Sequence, residues 1–275
     1  MPLWTFYGLR QGKVSTTWPA DGDDGQAGVL GMPRFDPARC RDGCRECAEV
    51  CLPTAITVGA DAPDPARSRP HVDYGRCVAC QMCVEVCPTG AFTSSNDWAF
   101  GVRRREDLVW ARAAASSEAA ELRGEVRRIF GRSLHIRHVD AGSCNGCESE
   151  LQALNNPFYN LHRLGIFFTP SPRFADLLLV TGPVTYAMRG PLEEAYRAMP
   201  EPRFVMALGT CAVSGGTAGG GHACGRGVEE VVPVDIYLPG CPPNPAAIIQ
   251  ALLLLLERMP QRVRGGKMVE DAEHA

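Results

Sequence analysis

Twelve residues limit this chain more than any others: Cys77-Val-Ala-Cys80-Gln-Met-Cys83-Val-Glu-Val-Cys87-Pro88. Cysteines separated by two, two and three residues and closed by proline form the run that holds a 4Fe–4S cluster. The first three thiolates fall on a short loop that can curl around one cubane. The fourth starts a helix that carries it toward a second. Short spacers also bring backbone N–H groups near the cluster sulfides, where they offset negative charge. Four thiolates suit zinc as well, but zinc modules usually set two C-x-x-C pairs about a dozen residues apart. Here all four cysteines lie within eleven residues, so the spacing predicts a cluster.

Thirteen cysteines would suggest disulfides in a short secreted chain. This one has 275 residues and an odd count, and its start, Met1-Pro2-Leu3-Trp4, lacks a basic region followed by an apolar run. A reducing cytoplasm and metal ligation are therefore expected. With 45% hydrophobic residues the chain can build two small cores. A net charge of −3 points to neither nucleic acid nor a membrane surface. The longest apolar run, Ala246 to Leu256, is too short to span a bilayer and is interrupted by Gln250. Membrane contact is expected through partners.

Residues 1–35 are rich in Gly, Pro and Asp and show no helix or strand period. They read as an extended arm whose Trp4, Phe6, Tyr7 and Trp18 lie on a partner. Residues 36–98 hold an internal repeat. Cys44-Arg-Glu-Cys47-Ala-Glu-Val-Cys51 returns as Cys80-Gln-Met-Cys83-Val-Glu-Val-Cys87, offset by 36 residues. Duplication of a loop–helix–strand unit predicts a pseudo-twofold module with two clusters. The region looks like a bacterial-type two-cluster ferredoxin, in which the fourth cysteine of each run crosses over. By that rule Cys40, Cys44, Cys47 and Cys87 hold one cluster, and Cys77, Cys80, Cys83 and Cys51 the other. Two departures stand out: three residues separate Cys40 from Cys44, and Leu52 separates Cys51 from Pro53. Neither removes a ligand.

Residues 99–132 read as an exposed helical linker, rich in Ala, Glu and Arg and ended by Gly131. From 133 to 260 the pattern changes to α/β, followed by a tail over 261–275. Apolar strands are expected at His135–Val139, Ala175–Val180, Arg203–Leu208 and Val234–Leu238, with helices at Glu148–Asn155, Pro191–Met199 and Pro245–Glu257. Apolar strands with helical crossovers imply a buried parallel sheet. The fold class is thus an α+β ferredoxin-like domain followed by a flavodoxin-like α/β domain.

Four further cysteines sit just past the carboxyl ends of these strands: Cys144, Cys147, Cys211 and Cys241. Open α/β sheets bind ligands there. Parallel strands bring those loops to one edge, so the four thiolates can form a third cage. Gly142, Gly146, Gly209 and Gly240 let the backbone approach it. Buried free thiols are the plainer reading, but they do not explain why each one follows a strand in a Gly/Pro loop. Cys224 is left over as a free thiol beside the glycines of a mobile or partner-ordered loop, and His222 and His162 read as ordinary histidines.

Asp140 to Leu256 resembles the small, cluster-bearing subunit of membrane-bound nickel–iron hydrogenases of the formate hydrogenlyase type. That subunit is itself related to the 20 kDa subunit of respiratory NADH–quinone oxidoreductase. The resemblance rests on Gly142-Ser-Cys144-Asn-Gly-Cys147-Glu, Pro170-Ser-Pro-Arg173-Phe-Ala-Asp176, Val180-Thr-Gly182-Pro-Val184-Thr, Gly209-Thr-Cys211 and Pro239-Gly-Cys241-Pro-Pro243. Residues from about Gly8 to Leu108, with Ser15-Thr-Thr-Trp-Pro19, resemble the ferredoxin-like subunit of the same complexes, so the chain looks like a fusion. Quinone-reducing relatives carry two adjacent cysteines at the first ligand position, whereas Cys144 and Cys147 form C-x-x-C, as in the hydrogenase branch.

The resemblance implies an electron-transfer subunit with three 4Fe–4S clusters. Its partners would be a nickel–iron large subunit and further iron–sulfur and membrane subunits, on the cytoplasmic face of the inner membrane. The active centre would belong to the large subunit. Glu148 and Glu150, beside Cys147, are candidate proton-transfer groups facing that partner. A solvated carboxylate favouring the helix N-terminus is the alternative for each. Two other functions remain open: a module delivering electrons to quinone, and an interaction protein with structural zinc.

Overall fold

Asp36 and Asp73 open the two halves of the repeat in the same way. Each caps a short 3-10 turn, Pro37–Arg39 or Tyr74–Arg76, by accepting the backbone N–H of Ala38 or Gly75, and each turn delivers a cysteine, Cys40 or Cys77. The computed structural model describes residues 3–12, 17–21, 24–59, 70–109, 133–259, 261, 263–264 and 267–268. Within the repeat, β1 (Arg34–Phe35) pairs antiparallel with β4 (Phe92–Thr93), and β2 (Ile56–Thr57) with β3 (His71–Val72). The pairing is pseudo-twofold, the first strand of one half meeting the last strand of the other. Phe35 stacks on Phe92 across the first pair at 4.7 Å. Helices α2 (Glu46–Glu49) and α3 (Met82–Glu85) each bury one cysteine, Cys47 and Cys83.

The second domain is a parallel sheet of β5 (Leu134–Asp140), β6 (Ile166–Phe168), β7 (Leu177–Thr181), β8 (Phe204–Leu208) and β9 (Ile236–Leu238). Its spatial order, β6-β5-β7-β8-β9, is the 2-1-3-4-5 order of flavodoxin-like sheets. Sequence reading missed β6, because three residues are too short to show a period. Helices α4 (Gly146–Ala153), α5 (Tyr186–Arg197), α6 (Thr210–Ser214) and α7 (Pro245–Leu255) follow β5, β7, β8 and β9. Pro191, expected to begin a helix, lies inside α5.

Side chains alternate across the sheet as a period of two requires. Leu177, Leu179, Met206 and Leu208 face α7 and Trp18. Leu178, Val180, Val205 and Ala207 form one core with Leu192 and with Phe35, Phe92 and Tyr74 of the repeat. Every residue of α7 is buried, Gln250 included, as a helix apolar all round must be. Asn244 caps it by accepting the Ala247 N–H, and Pro245 fits its first turn, where no N–H is needed.

Two expectations are corrected. The arm is not extended throughout: α1 (Leu3–Gln11) is a helix with Leu3, Trp4, Phe6, Tyr7 and Leu9 exposed. Its apolar residues run around the axis rather than along one stripe, which hid the period. Farther along, the arm lies on this chain itself. Trp18 is buried edge-on to Trp98, and its carbonyl accepts from the Arg163 guanidinium. Gln26 donates to the Tyr159 hydroxyl at 2.7 Å.

The second correction concerns the linker. Its first part is a buried strap, not an exposed helix. Phe100, Val102 and Leu108 are core residues, and Val102 exchanges two backbone hydrogen bonds with Tyr237 of β9, at 3.0 and 2.8 Å. A 3-10 turn, Arg105–Leu108, follows. Apolar residues spaced for an edge strand outweigh the charge pattern here. The rest of the linker, 110–132, lies outside the described residues. The tail contains a two-residue pair, Val263–Arg264 with Lys267–Met268.

Candidate metal centres

Twelve of the thirteen cysteines fall into three groups of four. Cys40, Cys44, Cys47 and Cys87 come together from both halves of the repeat. Burial pushes the Cys47 thiol up to about 12, with Cys40, Cys44 and Cys87 adding to the shift. Burial also works against Cys87, but the N–H groups of Phe92 and Thr89 outweigh it and hold that thiol below its ordinary value. The Phe92 N–H lies 3.5 Å from its Sγ.

Cys51, Cys77, Cys80 and Cys83 line one cavity, walled by Ile56, Val72, Tyr74 and Phe92. Burial raises Cys77 and Cys83 to about 12 each, and their neighbours in the group add to it. Cys51 is raised by burial too. The Ala79 N–H points at Cys77 Sγ from 3.4 Å. Cys51 thus lies among the cysteines of the second run, and Cys87 near those of the first.

The third group gathers at the carboxyl edge of the sheet. Cys144 follows β5, Cys147 lies in the first turn of α4, Cys211 in α6, and Cys241 follows β9. Burial raises the Cys147 thiol, with the Glu148 carboxylate and then Cys211, Cys241 and Cys144 contributing. Cys211 is pushed to about 11 by burial and by Cys241 and Cys144. Gly209 has φ +90, and a Cβ there would lie 2.6 Å from Cys147 Sγ, so glycine makes room for that sulfur. The residue after the first cysteine of the C-x-x-C has φ 65 and ψ 4 in both domains, Gln81 before α3 and Asn145 before α4. One local turn serves two unrelated folds. Among the described residues, no group of three or more His, Cys, Asp or Glu is arranged to hold a single metal ion.

Glu148 is not a solvated cap. Its carboxylate accepts from the Ser143 hydroxyl at 2.7 Å and from the Thr181 hydroxyl, and lies 3.5 Å from His138 Nε2. Thr181 Oγ1 is 2.9 Å from the same nitrogen. Burial holds His138 below its ordinary pKa, against the pull of Glu148 and Asp140. Glu150 is half-buried, and burial raises its carboxyl. Sequence reading missed His138, Thr181 and Ser143. Their weak signal was polar side chains at the carboxyl ends of otherwise apolar strands. Cys224, the thirteenth, is a buried thiol that donates to the Ala218 carbonyl at 3.0 Å and lies near enough to Cys211 to add to that thiol's upward shift.

Residues 144–255 match the family of the NADH ubiquinone oxidoreductase, 20 Kd subunit, and residues 39–91 match the 4Fe-4S dicluster domain. An uncharacterized protein of Methanocaldococcus jannaschii is 48% identical over 44% of this chain and 82% of its own length. A probable membrane-bound hydrogenase subunit of Pyrococcus furiosus is 38% identical over 53% of this chain and 87% of its own. Formate hydrogenlyase subunit 7 of Escherichia coli is 40% identical over 52% of this chain, and the chain spans 56% of that protein's length. With two such relatives matched over most of their own length, the chain belongs to the NADH ubiquinone oxidoreductase 20 Kd subunit family and carries a 4Fe-4S dicluster domain ahead of the matching residues.

Proposed function

We propose that this chain is the iron–sulfur electron-transfer subunit of a membrane-bound hydrogenase-type complex, holding three 4Fe–4S clusters for a nickel–iron partner subunit. The observation that carries the reading is the sorting of twelve thiols into three groups of four, two of them crossed between the halves of a repeat. Cys40, Cys44, Cys47 and Cys87 would hold the first cluster, Cys51, Cys77, Cys80 and Cys83 the second, and Cys144, Cys147, Cys211 and Cys241 the third. The donor set fits: four soft thiolates per site suit an iron–sulfur core, and the Ala79 and Phe92 N–H groups already point at ligand sulfurs. Bound clusters supply one-electron carriage at potentials set by charge, hydrogen bonding and exposure.

The chain's own residues do the rest. Tyr74, Phe92 and Val72 give the second cage an apolar wall. The turns at Gln81 and Asn145 aim cysteines inward. The C-x-x-C of Cys144 and Cys147 supports the hydrogenase branch over quinone reduction. Membrane contact is proposed to run through partner subunits, on the cytoplasmic face; no helix among the described residues is long and apolar enough to cross a membrane. A proton-transfer role belongs with Glu148 more than Glu150, because Glu148 is tied by hydrogen bonds to Ser143 and Thr181 beside His138. In the purified complex, Glu148→Gln should slow hydrogen turnover while leaving the iron content intact. Unchanged turnover would remove the proton role, and a complex without hydrogen activity that responds to quinone-site inhibitors would favour the quinone branch.

A further inference from the structure

Thr210 belongs to none of the ligand groups, yet two of them meet at its hydroxyl. The residue is 1% exposed. Its Oγ1 donates to the Cys77 carbonyl at 2.8 Å and accepts the Gly240 N–H at 3.0 Å. Its own N–H donates to the Gly240 carbonyl at 2.8 Å. Thr210 precedes Cys211 and Gly240 precedes Cys241. One hydroxyl therefore ties a cysteine of the second group to the loops carrying two cysteines of the third.

We propose that Thr210 is a positioning residue that fixes the second and third cages relative to each other, and with them the coupling between the clusters they hold. The inference rests on the three-cluster reading. A methyl group in place of the hydroxyl would leave a part-buried carbonyl and a buried N–H without their partner, which is costly for groups withheld from water. The loops would relieve that cost by sliding apart or admitting water. The domains would stay joined through the strap, because Val102 still pairs with Tyr237 and Arg105 still holds Asp73. The movement is thus confined to the gap between the cages. Electron tunnelling weakens steeply with distance and more steeply across an unbonded gap, so a small slide there matters while every ligand remains.

The test uses the full chain, reconstituted anaerobically, as unmodified protein and as Thr210→Val, Thr210→Ala and Thr210→Ser. Iron content, the spin–spin interaction between clusters in the fully reduced protein, and the rate of electron equilibration after rapid reduction are measured together. Thr210→Val and Thr210→Ala should keep all their iron, show a weakened interaction and equilibrate more slowly. Thr210→Ser should restore both readouts. Unmodified interaction and rate in either hydroxyl-free variant would overturn the proposal. So would loss of the third cluster or of the fold from both, since the hydroxyl would then build the cage rather than place it. Unmodified protein that holds fewer than three clusters would instead fail the functional reading itself.

Discussion

A thiol is a good iron ligand only after it loses its proton, and several here hold theirs tightly. Burial and neighbouring thiols raise Cys47, Cys77 and Cys83 from 9.0 to about 12. At neutral pH the cluster-free chain therefore keeps them protonated. Loading a cluster must displace those protons, so uptake should strengthen as pH rises. The cluster-free fold should behave the opposite way. A group whose pKa rises on folding contributes stability that is present below its unfolded value and lost as pH climbs through its folded one. The denaturation midpoint of the cluster-free chain should stay level up to about pH 9 and then fall toward pH 12. A midpoint that rises over that window would contradict the assignment. Gly209 offers a sharper test at the same scale. Gly209→Ala places a Cβ on the Cys147 sulfur, at a φ that side chains disfavour. The variant should lose about four of roughly twelve irons, leaving the dicluster domain loaded. Full iron content would refute the close approach.

Among the elements, the strap of residues 99–109 deserves a mutation of its own. Arg105 makes a two-pronged ion pair with Asp73, at 2.8 and 2.6 Å, anchoring the strap to the second half of the repeat. Both side chains are less than a fifth exposed, and Gly75 leaves room for the guanidinium that a Cβ would meet at 2.4 Å. Arg105→Ala strands a partly buried carboxylate and should cost about 2 kcal/mol, less than a fully buried pair because some water remains. Anaerobic denaturant titration checks this, and an unmoved midpoint would count against it. The strap was also the element least visible in the sequence. The cysteine runs could be read because ligation chemistry dictates spacing within a few residues. Arg105 and Asp73 are 32 residues apart, and Val102 and Tyr237 much farther, so no local pattern announces either contact. For the same reason Trp18 was assigned to a partner when its neighbour is Trp98 of this chain. The strands of the second domain were legible because continuous apolar runs mark a sheet buried on both faces. The network around Glu148 was not, since His138 and Thr181 approach it only once β5 and β7 lie side by side.

Across the whole molecule, two domains that match different families share one core, and the second and third cysteine groups sit on facing loops. The second thiol group touches the third through Thr210, and the first lies across the repeat from it. On the proposed reading this sets a sequence of sites running from the first group through the second to the third. That reading depends on how many clusters the chain holds. The most direct measurement is iron and acid-labile sulfide analysis of anaerobically reconstituted chain, with low-temperature electron spin resonance after dithionite reduction. The account predicts about twelve irons per chain and signals from three reduced 4Fe–4S clusters. Zinc in place of iron, or no more than one cubane per chain, would contradict it.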